Sequence, residues 1–381
     1  MAKLSDIFTL QMGKTPARAK REYWNNGDND WVSISDLSGY NKYVGATKET
    51  ISDLAVADSG IKAVPANTVI MSFKLTIGKT AITVKPTYTN EAIMAFIPNG
   101  KYPIYPGYFY HFFSGRDWSK GTNRAVMGST LNKATLGEID VVIPSAYEQK
   151  KISEYLDKLD ELIYIRRQQL SKLDELVKSR FIEMFANKDF PKTALIDLIV
   201  EGAGLSYGIV QPGDDGTGEM GVLRPVDIVD GKISIAGIKY IDRSIGDGYR
   251  KTELTGDELL ITVRGTTGIT ALTDARFVGM NVTRGIAVIR YDRRKINPIY
   301  LNAYLKTEDS QRYIQEHTRG ATLQQINLSD LRMQNIVVPP MELQNQMAVF
   351  VEQTDKSKFE IQQSLEKLET LKKSLMQQYF G

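Results

Sequence analysis

Ile152, Leu156, Leu159, Ile163, Leu170, Leu173 and Val177 advance by fours and threes, with Arg166 and Arg180 taking two places in the series and Met184 closing it. That spacing keeps one stripe turned toward a neighbour, so it predicts a long helix with a coiled-coil seam. Moved by 195 residues, the same steps fall on Met347, Val351, Thr354, Lys358, Ile361, Leu365, Leu368, Lys372, Leu375 and Tyr379. The chain therefore carries the seam twice. Each copy places two charged residues in it, at different levels, and a charged seam position lowers stability while favouring one register. The positions between hold Lys, Asp, Glu and Gln, as a solvated face does. Residues 145–186 carry eight basic and eight acidic side chains, a poor surface for DNA.

A repeated passage precedes each helix. GSTLNKATLGEIDVVIP runs from Gly128 to Pro144 and GATLQQINLSDLRMQNIVVPP from Gly320 to Pro340. Gly128, Thr130, Leu131 and Leu136 match Gly320, Thr322, Leu323 and Leu328 at a shift of 192, whereas Pro144 and everything after it match at 195. The three extra residues are expected between Leu331 and Pro339, where the two copies should differ. Upstream of each passage lie about 150 residues of another texture, in which short runs of Val, Ile and Thr are bounded by Gly, Pro, Asn and Asp. These read as strands and turns. WVSISDL ending at Leu37 answers VLRPVDI ending at Ile228, and IGKTAI from Ile77 answers TGITAL from Thr267. Short helical stretches, PGYFYHFF from Pro106 and PIYLNAYL from Pro298, close each segment. The expected fold class is α+β, with globular domains at 1–143 and 188–338 and helices at 144–187 and 339–381.

Composition narrows the function. At 381 residues, 24% charged and 42% hydrophobic, the chain reads as a soluble globular protein of several domains. No run approaches the roughly 18 apolar residues of a membrane span, and MAKLSDIFTLQMGK lacks the order of a signal peptide, so a cytoplasmic location is expected. The absence of cysteine removes disulfides, thiolate metal sites and cysteine nucleophiles; with only His111 and His317, no metal site is expected. A net charge of +3 is too small to declare a nucleic-acid binder. Residues 1–144 hold 16 Lys and Arg against 12 Asp and Glu, while 187–340 hold 19 of each, so any anion-binding surface must arise from local clustering. GKTPARAKRE, with Lys14, Arg18, Lys20 and Arg21, and YDRRKIN, with Arg293, Arg294 and Lys295, are such clusters.

Two GKT triplets, at Gly13 and Gly78, suggest nucleotide binding. A phosphate loop needs a further glycine five residues ahead, and Phe8 and Phe73 stand there, so both are read as turns. Nothing resembles an amino-methyltransferase signature, and the pair Asp214 and Asp215 in PGDDGTG reads as a loop. No catalytic residues are expected. Recognition remains. VRGTTGIT and SFKLTIGKT place a basic residue, hydroxyls and a glycine after a strand, where Arg or Lys can approach phosphates or base edges. The candidates for such contacts are Lys14, Arg18, Lys74, Lys79, Arg116, Lys120, Arg124, Arg224, Arg264, Thr266, Thr267, Arg284 and Arg319. Tyr207 in GLSYGIV is read as a stacking aromatic or a buried tyrosine.

The duplicated G-x-T-L passage, the I/V-P turn and the heptad helix, VVIPSAYEQKKISEYLDKLDELI and IVVPPMELQNQMAVFVEQTDK, resemble the DNA-specificity subunit of type I restriction-modification enzymes over the whole chain. The second copy departs from the family's E-Q-x-x-I, reading Leu343, Gln344, Asn345, Gln346 and Met347. The resemblance implies that the globular segments are target recognition domains, each reading half of an interrupted site in double-stranded DNA. It further implies that the helices pair antiparallel around a pseudo-twofold axis. About 40 helical residues span roughly 60 Å, enough for half-sites about 34 Å apart. Two methyltransferase subunits and the restriction subunits are the implied partners. S-adenosylmethionine, ATP and Mg would belong to them, and the chain would supply position rather than chemistry. A stand-alone scaffold with two binding domains, or a nuclease with a dispersed active site, are the alternatives.

Overall fold

The seams do form helices. In the computed structural model, which describes residues 1–74, 76–118, 131–186, 188–213 and 218–381, they run Ala146–Phe185 and Met341–Phe380, 40 residues each. Contacts divide the chain into one unit of Met1–Arg167 with Gln363–Gly381 and a second of Gln168–Gln362, so each unit takes one end of each long helix.

Within the first unit Asp160 pairs with Lys372, Arg167 with Glu369 at 2.6 Å, and Arg166 Nε donates to Ser364 Oγ at 3.2 Å. Within the second, Lys358 pairs with Asp174 at 2.5 Å and Arg180 lies over the Phe350 ring. Rising numbers on one helix meet falling numbers on the other, so both stretches pair antiparallel. The charged seam positions are now accounted for: Lys358 and Lys372 reach sideways to carboxylates, and Arg166 to a hydroxyl. These pairs are partly solvated and worth roughly 0–1 kcal/mol each. Their contribution is to register, while burial holds the seam: Ile152, Leu156, Leu159, Ile163 and Leu365 are buried in the first unit, with Leu368 and Leu375 packed on its core. In the second, Met347 is buried, Val177 and Val351 pack on the core, and Leu170, Leu173 and Ile361 are half-buried.

A buried glutamine starts each helix. Gln149 accepts from the backbone N–H of Tyr105 and donates to the carbonyls of Pro103 and Pro144. Gln344 repeats this, accepting from Asn297 N–H and donating to Pro339. An unsatisfied buried amide is unfavourable, so this residue ties the long helix to the short helices Pro106–Gly115 and Pro298–Leu305.

The first unit holds a four-stranded antiparallel sheet in the order Phe8–Met12, Ile93–Pro98, Val69–Ser72, Thr80–Ile82 and a three-stranded sheet in the order Glu49–Ile51, Trp24–Val32, Tyr88–Thr89. The second unit has the same two orders: Ser206–Tyr207, Ile286–Ile289, Leu259–Thr262, Thr270–Leu272, and Lys239–Ile241, Met220–Leu223, Asn281–Val282. In each three-stranded sheet the last pairing is parallel. The central strands are buried on both faces (Val69–Ser72 and Leu259–Thr262), which is why they read as unbroken apolar runs rather than alternating ones.

One expectation is corrected. The three extra residues of the second copy do not lie between Leu331 and Pro339. Asn132 and Asn327 both precede the short helices, their carbonyls accepting from Leu136 and Leu331 at 3.0 and 3.1 Å. Leu136 and Leu331 are both fully buried, as are Val141 and Ile336 in the following strands. The structural shift is thus already 195 at Asn132, and the difference falls upstream of Asn132 and Asn327. Identity between Leu136 and Leu328 misled the alignment, because an equally placed leucine three residues on fills the same core position.

Candidate nucleic-acid interface

In the second unit four arginine-bearing segments converge on one rim. The strand Leu259–Thr262 continues into the turn holding Arg264, where Gly268 N–H returns to Thr262 O at 2.8 Å and Ile269 N–H to the Thr262 hydroxyl at 2.9 Å. Gly268 has φ +87°, the left-handed region that glycine adopts without strain. Gly265 N–H bonds to Gln324 O and Ile326 N–H to Val263 O, lacing this turn to the two-stranded ribbon Thr318–Arg319 with Gln325–Ile326. The Thr267 and Thr318 hydroxyls meet at 3.0 Å. On the other side Val263 N–H donates to Gly285 O at 2.8 Å, placing the turn of Arg284 beside that of Arg264. Thr283 N–H reaches Leu223 O at 2.9 Å, so Arg224 follows on the next strand end.

These arginines are not equally available. Arg224 chelates Asp227 and donates to Gly237 O at 2.7 Å. Arg319 is exposed, with Asp330 at 3.9 Å. The guanidinium groups of Arg264 and Arg284 have no partner among the described residues, although Arg264 is half-buried. Free donors on a rigid turn are the geometry of base or phosphate readout. Thr266 is exposed beside them, and Tyr207 is half-buried against the core.

The first unit builds the same turn. Gly78 N–H bonds to Ser72 O at 2.9 Å and Lys79 N–H to the Ser72 hydroxyl at 3.0 Å, and Gly78 has φ +89°. Lys74 therefore occupies the place of Arg264; its ammonium lies 5.3 Å from the Phe73 ring, and Lys79 is exposed. Arg116 lies over the Phe112 and Trp118 rings. Lys14 donates to Ser59 O, and Arg18 pairs bidentately with Glu49 while stacking on Trp24 at 3.7 Å. Lys120 and Arg124, like Asp214 and Asp215, lie outside the described residues. The basic run at Arg293 is exposed but already paired: Arg293 to Asp257, Arg294 to Asp292 and Lys295 to Asp197 O. The Arg294 guanidinium and backbone hold the Asp292 carboxyl down to about 2.

The GKT triplet at Gly78 closes a turn, as expected, whereas Gly13–Thr15 is not a turn but an extended segment beyond the strand Phe8–Met12, with Gly13 and Lys14 N–H donating to Ile93 O and Thr89 O. A Cβ on Gly13 would stand 2.2 Å from Thr89 O, and one on Gly208 1.9 Å from Val282 O. These glycines are equivalent, since Lys14 and Ile209, the next residues, donate N–H to those same carbonyls. The equivalence also shows what the sequence comparison missed. Where the second unit has Val210, Thr283 and Arg284, the first has Thr15, Asn90 and Glu91. The Thr15 hydroxyl donates to Glu91 Oε2 and accepts from Asn90 Nδ2 at 3.1 Å. Matching Gly13 to Gly208 was the available signal.

The chain is thus of a class in which one strand-and-turn architecture occurs twice, each time ahead of a long helix, and comparison supplies its family. The model of the type I restriction modification DNA specificity domain matches residues 1–175 and 226–373, and the chain belongs to this family. The MjaIX specificity subunit of Methanocaldococcus jannaschii is 32% identical over 198 residues, which cover 49% of this chain and 45% of that protein. The EcoBI specificity subunit of Escherichia coli is 23% identical over 72% of this chain and 64% of its own length. The chain thus matches between about half and two thirds of these relatives. Two solved structures share the fold. One, described as underlying complex assembly and conformational transition of the type I R-M system, has TM-score 0.62 at 14% identity and covers 100% of this chain and 96% of that one. The other, the type I S subunit from M. genitalium, has TM-score 0.58 at 13% identity and covers 100% and 95%.

Proposed function

We propose that this chain is the non-catalytic DNA-specificity subunit of a type I restriction-modification complex, reading a site in two unlike halves. The observation that carries the reading is the doubled turn: the same architecture in both units, with Arg264 on one and Lys74 on the other. Equal backbones with different side chains suit two readers of different sequence. The long helices are the places for two methyltransferase subunits, and restriction subunits join that core. S-adenosylmethionine, ATP and Mg act on those partners. The target adenine leaves the duplex for a methyltransferase pocket, and this chain selects where that happens.

Capture of the tagged chain from its own cells is expected to recover a methyltransferase in comparable amount. The recovered complex should prefer one duplex over scrambled competitors, and the chain alone should neither methylate nor cut. Equal binding to every duplex would leave only a scaffold, and cutting by the chain alone would make it a nuclease.

A further inference from the structure

Resting on that reading, a sharper assignment comes from the turn that follows the last strand of each three-stranded sheet. The turn is the same in both units. Thr89 O and Val282 O accept from Lys14 and Ile209 N–H at 2.8 Å each, and the next strands begin at Ile93 and Ile286, which pair with Ser72 and Thr262. At its exposed position the charge is inverted: Glu91 in the first unit, Arg284 in the second.

The surroundings change with it. Thr15 anchors one carboxylate oxygen of Glu91 through its hydroxyl, leaving Oε1 without a partner among the described residues. The equivalent residue in the second unit is Val210, half exposed, which offers Arg284 nothing to bond. A carboxylate would be repelled by phosphate, so Glu91 on a DNA-facing rim is unsuited to backbone contact. It can accept only from a base amino group. Arg284 carries the opposite chemistry, a two-pronged donor that matches guanine O6 and N7, as a carboxylate matches cytosine N4.

We propose that Arg284 and Glu91 are specificity-determining residues of opposite sense. Arg284 reads a guanine in the half-site of the second unit, and Glu91 reads a cytosine amino group in the half-site of the first. Thr15 acts as a positioning residue that fixes the Glu91 carboxylate.

Both side chains are at the surface, so their replacement leaves the core intact. The test uses the full chain assembled with its methyltransferase, with R284E and E91R made separately and binding measured against duplexes varied one base pair at a time. R284E is expected to lower affinity for the native site about tenfold or more, with preference altered at one base pair of one half-site. E91R should shift one base pair of the other half-site toward guanine. Unchanged preference in both variants would overturn the assignment. So would an equal loss on all duplexes with a shallower salt dependence, the mark of a phosphate contact. If the unaltered complex prefers no sequence, the specificity reading itself falls; if it is selective while the variants keep its preference, only this assignment falls.

Discussion

Leu156→Ala is expected to lower the stability of the first unit by about 2–5 kcal/mol, the cost of deleting a fully buried leucine side chain. Leu156 is 0% exposed and sits on the first long helix within the cluster that includes Tyr108, Phe109, Phe112 and Phe113 of the short helix and Phe8 and Phe96 of the sheet. The side chain belongs at once to the helix seam and to the globular core, so the cavity loosens both. A seam held only by its ion pairs would show much less. Leu176→Ala is the control, because Leu176 is 49% exposed and surface changes stay within about 0.5 kcal/mol. Chemical denaturation followed by circular dichroism compares the two. Equal midpoints would mean that the helix is not integral to the core.

Arg264→Ala is expected to leave stability unchanged and to weaken binding to the native site by about five- to a hundredfold, the range for losing a two-pronged base contact. The contrast within the rim makes this sharp. Arg224 is tied to Asp227 and Gly237, so its removal disturbs the fold, whereas Arg264 has no partner to lose among the described residues. The loss should be confined to one half-site, because Lys74 holds the equivalent place in the other unit. Competition binding with duplexes altered in one half at a time measures it. A loss equal for all sequences would assign Arg264 to phosphate contact instead.

Much of this architecture was legible in the chain because it depends on periodicity. The steps of four and three through Ile152 and Leu156 could only be a helix stripe, and their recurrence at 195 residues could only be a second one. The recognition rim was less legible. Loops have no periodicity, and which cation is free depends on neighbours distant in sequence: Asp257 takes Arg293 and Glu49 takes Arg18, but no described residue takes Arg264 or Arg284. The three-residue offset was misplaced for a related reason. Residue identity put Leu136 opposite Leu328, whereas the core needs a buried leucine four residues beyond the capping asparagine, and Leu331 fills that place.

Whether this chain chooses the DNA sequence at which its partners act is decided by mapping methylated adenines across the source genome with and without the gene. The expected result is one interrupted motif with two unlike halves, methylated when the gene is present and unmethylated when it is deleted. An unchanged methylation map, or loss of methylation at unrelated sequences with no common motif, would contradict it.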